Sequence, residues 1–211
     1  MMDKEVYAEY KSEQILKKYL PIIPNQLVHE IKQIKFKAFP LVLKIISPQA
    51  LHKSDIHGVR IVHSKEELEK NFNDLLKISK KRRLRLEGIL VQEYLNGYEL
   101  IIGIKKDHTF GHVMMLGSGG IYAETVKDIS IRACPVSLYD VESMIRDLRM
   151  KDILLGIRGE KINVSKLKKS LVRLSKLPSK YKNIEELDIN PLIANKKGVF
   201  VADARMVFSK W

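Results

Sequence analysis

The chain has 211 residues, 45% of them hydrophobic, which is enough apolar material for a sizeable core and too much for general disorder. Its 38 Lys and Arg against 25 Asp and Glu give a formal charge of +13, which points to a polyanionic partner without choosing among nucleotides, coenzyme A and nucleic acid. Cys134 is the only cysteine, so an internal disulfide and a Cys-rich metal site are excluded; the charged opening and the lack of a roughly 18-residue apolar run predict no leader, no membrane association and a cytoplasmic location.

Residues 3–19 place Tyr7, Tyr10, Ile15, Leu16 and Tyr19 at near-helical spacing and predict an amphipathic helix, closed by Pro21 and Pro24. Leu41 to Ile46 reads as a short apolar strand, and Gly58 to Val62 as a second strand leaving a polar loop. Ser64 and Glu67 have capping-box spacing just ahead of the apolar stripe Leu68, Phe72, Leu75, Leu76 and Ile78, so a helix starts there. The run Lys80-Lys81-Arg82-Arg83-Leu84-Arg85 ends it, where cations complement the helix dipole. No aromatic side chain interrupts that run, so it reads as a solvated terminus and nucleic acid is not an expected partner.

Leu90 to Tyr94 is strand-like, and Asn96-Gly97 is a turn, and a place for a hinge, before a further strand from Leu100 to Ile104. Asp107-His108 turns the chain into a strand over His112 to Leu116, which runs into the glycine-rich bend Gly117-Ser118-Gly119-Gly120. Leu138 to Arg149 and Val164 to Leu177 predict helices; Glu186 to Ile193 and Gly198 to Asp203 predict two closing strands. Strands and helices mixed throughout, without a repeat, predict an α/β or α+β protein.

Four groups of residues suggest chemistry. Lys44 lies inside an apolar strand, where its ammonium either meets a phosphate or snorkels to water at a sheet edge. His52 follows in a polar loop; neutral imidazole can accept and pass on a phosphoryl group, but the spacing of His52, His57 and His63 matches no zinc pattern. Asp188 and Asn190, two apart on a strand, share a face and either hold Mg²⁺ through hard oxygen ligands or simply face water; Asp203 and Arg205 form a similar same-face pair, either an ion pair or a substrate contact. The bend Gly117 to Gly120 either brings backbone amides to a phosphate or makes a tight turn, and it lacks the lysine of a P-loop.

Together the segments Leu43 to Pro48, Leu51 to Asp55, Gly88 to Glu93, Glu99 to Gly103, Gly119-Gly120-Ile121, Arg158-Gly159, Glu186 to Leu192 and Asp203-Ala204-Arg205 stand in the order of a known family. From about Leu41 onward the chain resembles the beta subunit, or ATP-grasp portion, of ADP-forming acetyl-CoA and acyl-CoA synthetases. The resemblance implies an α+β ATP-grasp fold, with two α/β lobes enclosing a nucleotide cleft in a single domain over 1–211, the first lobe over 1–95 and the second over 96–211. It implies that Lys44 contacts nucleotide phosphates, that Gln92, Glu93 and Tyr94 line the adenine hinge, that Glu99 helps build the cleft beside Gly119 and Gly120, and that Asp188 and Asn190 hold Mg²⁺. His52 is similar to the histidine that receives a phosphoryl group from a CoA-binding alpha subunit, the expected partner in a heterotetramer, and delivers it to ADP. The implied reaction is acyl-CoA + ADP + phosphate to acid + ATP + CoA; a catalytically silent ATP-binding scaffold is the alternative. Three positions depart from the family pattern: His57 replaces the first glycine of Gly-Gly-Val, His112 replaces a proline, and Ser118 replaces an apolar residue.

Overall fold

The computed structural model describes residues 4–50, 53–120, 128–155 and 161–210. In chain order its strands and helices are β1 (Lys4–Tyr7), α1 (Glu9–Leu16), β2 (Asn25–Val28), β3 (Leu41–Ile46), β4 (Val59–Val62), α2 (Lys65–Lys81), β5 (Gly88–Glu93) and β6 (Tyr98–Asp107). They continue as β7 (Gly111–Ser118), β8 (Ile129–Ala133), α3 (Leu138–Asp147), α4 (Lys151–Leu154), α5 (Val164–Leu174), α6 (Leu177–Lys180), β9 (Ile184–Asn195), β10 (Gly198–Val201) and β11 (Ala204–Ser209). Two units result: residues 23–95, and residues 1–22 joined with 96–211. Among the described residues no helix is long and apolar enough to cross a membrane.

In the unit 23–95, four antiparallel strands run in the order β2-β5-β3-β4. Alternation along β3 and β5 sends Leu41, Leu43, Ile45, Ile89 and Val91 to one face, where Leu68, Phe72 and Leu75 of α2 close the core. Burying each of these side chains is worth about 1.5–3 kcal/mol. The same alternation turns Val42, Lys44, Ile46, Leu90 and Gln92 to the other face. At the start of α2 the Ser64 hydroxyl accepts the Glu67 N–H at 3.2 Å, while the Glu67 carboxylate accepts the N–H of His63, one residue earlier than a capping box requires, at 2.8 Å. Its far end is closed by Leu84 N–H donating to Ser79 C=O, with Arg83 held at φ 52 and the basic run exposed from Lys80 to Arg83.

In the unit 1–22 with 96–211, a seven-stranded antiparallel sheet has the order β1-β11-β9-β6-β7-β8, with β10 also pairing β9. Leu100, Ile102 and Ile104 of β6, Met114 and Leu116 of β7, and Leu187 and Ile189 of β9 face a core completed by Leu16 of α1, Met144 and Ile145 of α3, and Leu167 and Leu171 of α5. The intervening residues, Glu99, Gly103, Lys105, Met115, Asp188 and Arg205 among them, turn to the opposite face.

Three features differ from the sequence reading. The predicted helix over 3–19 begins as strand β1, because Lys4–Tyr7 pairs antiparallel with Met206–Ser209 at the far end of the chain, a contact no local pattern encodes. For the same reason residues 1–22 join the second unit rather than the expected first lobe over 1–95, whereas the boundary after Leu95 coincides with the expected one. Strands β2, β8 and β11 were not anticipated: each is short, and the neighbour it pairs with defines it.

Cys134, whose N–H donates to His112 C=O at 2.7 Å, is half-buried, and burial pushes its thiol up to about 11. The thiolate is the reactive form, so at pH 8 iodoacetamide should alkylate the native chain about a hundredfold more slowly than the urea-unfolded chain. Equal rates would show that the thiol is not desolvated by the fold.

Candidate functional site

Lys44 sits on β3 opposite Val59 of β4 and Leu90 of β5. It is only 5% exposed, so little of the side chain meets water. Gln92 is 1% exposed and lies diagonally across from Lys44 on the same face, since Val42 pairs Gln92 and Lys44 pairs Leu90. At the end of β5 the Glu93 N–H donates to Pro24 C=O at 3.0 Å and the Tyr94 N–H to Pro40 C=O at 3.2 Å. The strand end is thereby tied to the residues ahead of both β2 and β3, one residue before the unit boundary, and the Glu93 and Tyr94 side chains are exposed.

His52 and Leu51 lie outside the described residues, as do Ile121 and the Arg158-Gly159 pair. The chain on each side of His52 is turned tightly. Ala50 N–H donates to Ser47 C=O at 3.1 Å, and His57 N–H to Ser54 C=O at 2.9 Å, with Gly58 N–H reaching Lys53 C=O at 2.7 Å. His57 occupies φ 55, a left-handed conformation that glycine adopts freely and a residue with a Cβ does not. The family's glycine at this position therefore has a backbone reason, and histidine here is strained.

In the other unit, Glu99 opens β6 opposite Ile193 of β9. The glycine bend packs directly on it: Gly119 N–H donates to Glu99 C=O at 2.8 Å, and a Cβ on Gly119 would come within 2.8 Å of the Glu99 carbonyl carbon. Gly120 has φ 69, and a Cβ there would meet the Glu99 carboxylate at 3.2 Å. The glycines thus permit a close approach of two backbones, and the Gly119 amide that was expected to face phosphate is engaged by Glu99. Gly97 is equally constrained, with Ala194 oxygen 2.6 Å from its would-be Cβ. Gly97 to Leu100, Ser118 to Gly120, and Met150, Ile153 and Leu154 enclose a cavity of about 450 Å³.

Asp188 and Asn190 lie on the same face of β9 as Glu99 does on β6, which follows from the register Gly103 with Asp188. The register slips at Asn190-Pro191, where two β9 residues oppose Ile101, and proline, having no N–H to pair, suits such a bulge. The slip also inverts the alternation: the core residues are Leu187 and Ile189 before it, and Leu192 and Ala194 after it. Asn190 N–H donates to Asp203 C=O at 3.1 Å, so Asp203 stands beside the pair. Arg205 bonds Glu186 at 2.7 Å and stands opposite Asp188 across the strands. Beside Asp188 a depression of about 270 Å³ has an apolar floor of Val113, Met115 and Ile131. Asp188 and Asn190 set two hard oxygen donors on one face of β9, a donor type suited to Mg²⁺; among the described residues no cluster of three or more His, Cys, Asp or Glu accompanies them.

The sequence reading passed over Asp128, which is 4% exposed and accepts hydrogen bonds from Arg149 N–H, Met150 N–H and the Ser118 hydroxyl at 2.7, 3.1 and 2.7 Å. The local pattern points the other way: alternation in Asp128-Ile129-Ser130-Ile131 would bury the isoleucines, whereas Ile129 and Ile131 are about half exposed and Asp128 and Ser130 are buried.

Residues 2–208 match the ATP-grasp domain family. The chain belongs to that family. It is 39% identical over 176 residues to an ADP-forming acetate–CoA ligase of Archaeoglobus fulgidus, covering 82% of this chain but 26% of that protein. With the beta subunit of ADP-forming acetate–CoA ligase I of Pyrococcus furiosus it shares 36% identity over 95% of this chain and 90% of the subunit. It also superposes on the acetyl-coenzyme A synthetase 1 of Ca. Korarchaeum cryptofilum, solved with coenzyme A and Mg-AMPPCP and with a phosphohistidine segment pointing towards the nucleotide binding site. The TM-score is 0.83 at 35% identity, over 96% of this chain and 92% of that one.

Two stability measurements in urea check these constraints. Gly119→Ala forces backbone apart and should cost about 2–3 kcal/mol, whereas Gly111→Ala, at φ 72 with open space around it, should cost about 1 kcal/mol. His57→Gly relieves about 1–2 kcal/mol of left-handed strain against about 0.5–1 kcal/mol of backbone entropy, so a net gain of about 0.5–1 kcal/mol is expected. A loss of stability in His57→Gly would refute the strain.

Proposed function

We propose that this chain is the nucleotide-binding phosphotransfer subunit of an ADP-forming acyl-CoA synthetase, working with a CoA-binding alpha subunit in a heterotetramer. The observation that carries the reading is the burial of Lys44 on the strand that runs directly into the His52 segment. A lysine withdrawn from water on a pathway to a histidine is suited to neutralising phosphoryl oxygens as they pass.

In the proposed reaction the imidazole of His52 receives a phosphoryl group from a phosphohistidine of the alpha subunit, breaking one P–N bond as another forms. A β-phosphate oxygen of ADP then attacks phosphorus, ATP forms, and the His52 nitrogen leaves. Such transfers demand in-line placement and charge screening more than proton transfer. Lys44 contacts the phosphates, Gln92 with Glu93 and Tyr94 receives the adenine, and Glu99, braced by Gly119 and Gly120, shapes the cleft. Asp188 and Asn190, with Asp203 at their side, would hold Mg²⁺, which when bound supplies further charge neutralisation on the nucleotide oxygens.

The test mixes the chain with its alpha subunit, acetyl-CoA, ADP, phosphate and Mg²⁺. His52→Ala should lower ATP formation by about a thousandfold or more while Mg-ADP affinity stays within about twofold. Lys44→Met should instead weaken Mg-ADP binding by about tenfold or more. ATP formation undiminished in His52→Ala would end the assignment, and Mg-ATP binding without phosphohistidine in any pairing would establish the catalytically silent reading.

A further inference from the structure

We propose that Asp128 is a positioning residue that sets the wall of the Glu99 cavity; the inference rests on the proposed nucleotide-binding reading. Two separate segments meet at its carboxylate through three donors: the Ser118 hydroxyl at the end of β7, and the Arg149 and Met150 amides at the entrance to α4. Ser118 N–H closes a further bond to the Asp128 carbonyl at 3.1 Å. Asp128 does not itself line the cavity, but its partners do: Ser118 leads into Gly119 and Gly120 on one wall, and Met150 begins the wall continued by Ile153 and Leu154. The third side is the Gly97–Leu100 segment that carries Glu99.

Two walls of the cavity are therefore fastened to each other through one buried side chain. Through Gly119 N–H the fastening reaches the backbone of Glu99. Ser118 supplies the third donor; an apolar residue there would leave Asp128 with two amide donors and loosen the link between the bend and α4. A neighbouring network, Arg132 and the Ser130 hydroxyl on the Asp147 carboxylate at 2.7 and 2.9 Å, anchors the end of α3 to β8 just beyond.

The experiment compares Ser118→Ala, Ser118→Thr and Asp128→Asn as full-length chains with the alpha subunit, measuring KM for ADP, KM for acetyl-CoA and the Kd of Mg-ADP. Asp128→Asn should raise KM and Kd for the nucleotide about tenfold and Ser118→Ala about threefold, with KM for acetyl-CoA unchanged; Ser118→Thr, which keeps the hydroxyl, should match the parent chain. A purely structural role would instead lower the melting temperature and kcat while leaving KM and Kd for the nucleotide in place, and that result overturns the inference. Should Asp128→Asn fail to fold, the Ser118 pair decides alone: unchanged nucleotide Kd in Ser118→Ala refutes it. A parent chain that binds Mg-ADP yet supports no ATP formation would defeat the phosphotransfer reading while the Kd values still judge Asp128.

Discussion

The twelve-residue strand β9 is the constraint on which the larger unit depends. One of its edges is paired by β6, and the other is shared by β11 over Ile184 to Ile189 and by β10 over Leu192 to Asn195. A strand held on both sides cannot slip by a residue without sending its apolar set to the wrong face. Its register therefore fixes which side chains share the polar face: Asp188 across from Gly103, Ile193 across from Glu99, and Arg205 across from Asp188. The bulge at Asn190-Pro191 lets the strand change alternation without breaking the core, and it leaves Asn190 exposed where the two alternations meet.

Charge is distributed unevenly over this basic chain. The excess of Lys and Arg is displayed in part at the end of α2, where Lys80 to Arg83 are exposed. The polar face of the large sheet, by contrast, brings together Glu99, Glu186 and Asp188, of which Glu186 is matched by Arg205. Lys44 is the exception in the other direction. Withdrawing an ammonium from water costs several kcal/mol before any compensating contact is counted. An exposed lysine could occupy a sheet edge at no such cost, so solubility does not explain the buried placement.

Much of the chemistry was legible because it sits in strands. The period of two places Asp188 with Asn190 on one face from the letters alone, whereas the shared face of Lys44 and Gln92 depends on the pairing of β3 with β5. The apolar stripe from Leu68 to Ile78 and the Ser64 cap likewise fix α2. The N-terminal strand was illegible for the opposite reason: Lys4–Tyr7 is stabilised by a partner some two hundred positions away, and tyrosines at near-helical spacing suggest a helix when that partner is not known. The glycine bend showed a second kind of limit. Composition reveals that Gly119 and Gly120 need room, but whether the room is for a phosphate or for the backbone of Glu99 depends on a strand pairing that the local sequence does not contain.

The departures at His57 and Ser118 act on opposite sides of a balance between order and movement. Ser118 adds a bond to a buried carboxylate and so holds its bend more firmly. His57 places a side chain at φ 55 in the turn that follows the His52 segment, so that turn is less stable than a glycine would make it. A strain of about 1 kcal/mol, carried only in this conformation, favours alternatives to it by roughly fivefold. The two features are independent: the strain belongs to the turn of residues 53–58 in the smaller unit, and the Ser118 bond to the bend that reaches Glu99 through the Gly119 N–H in the larger one.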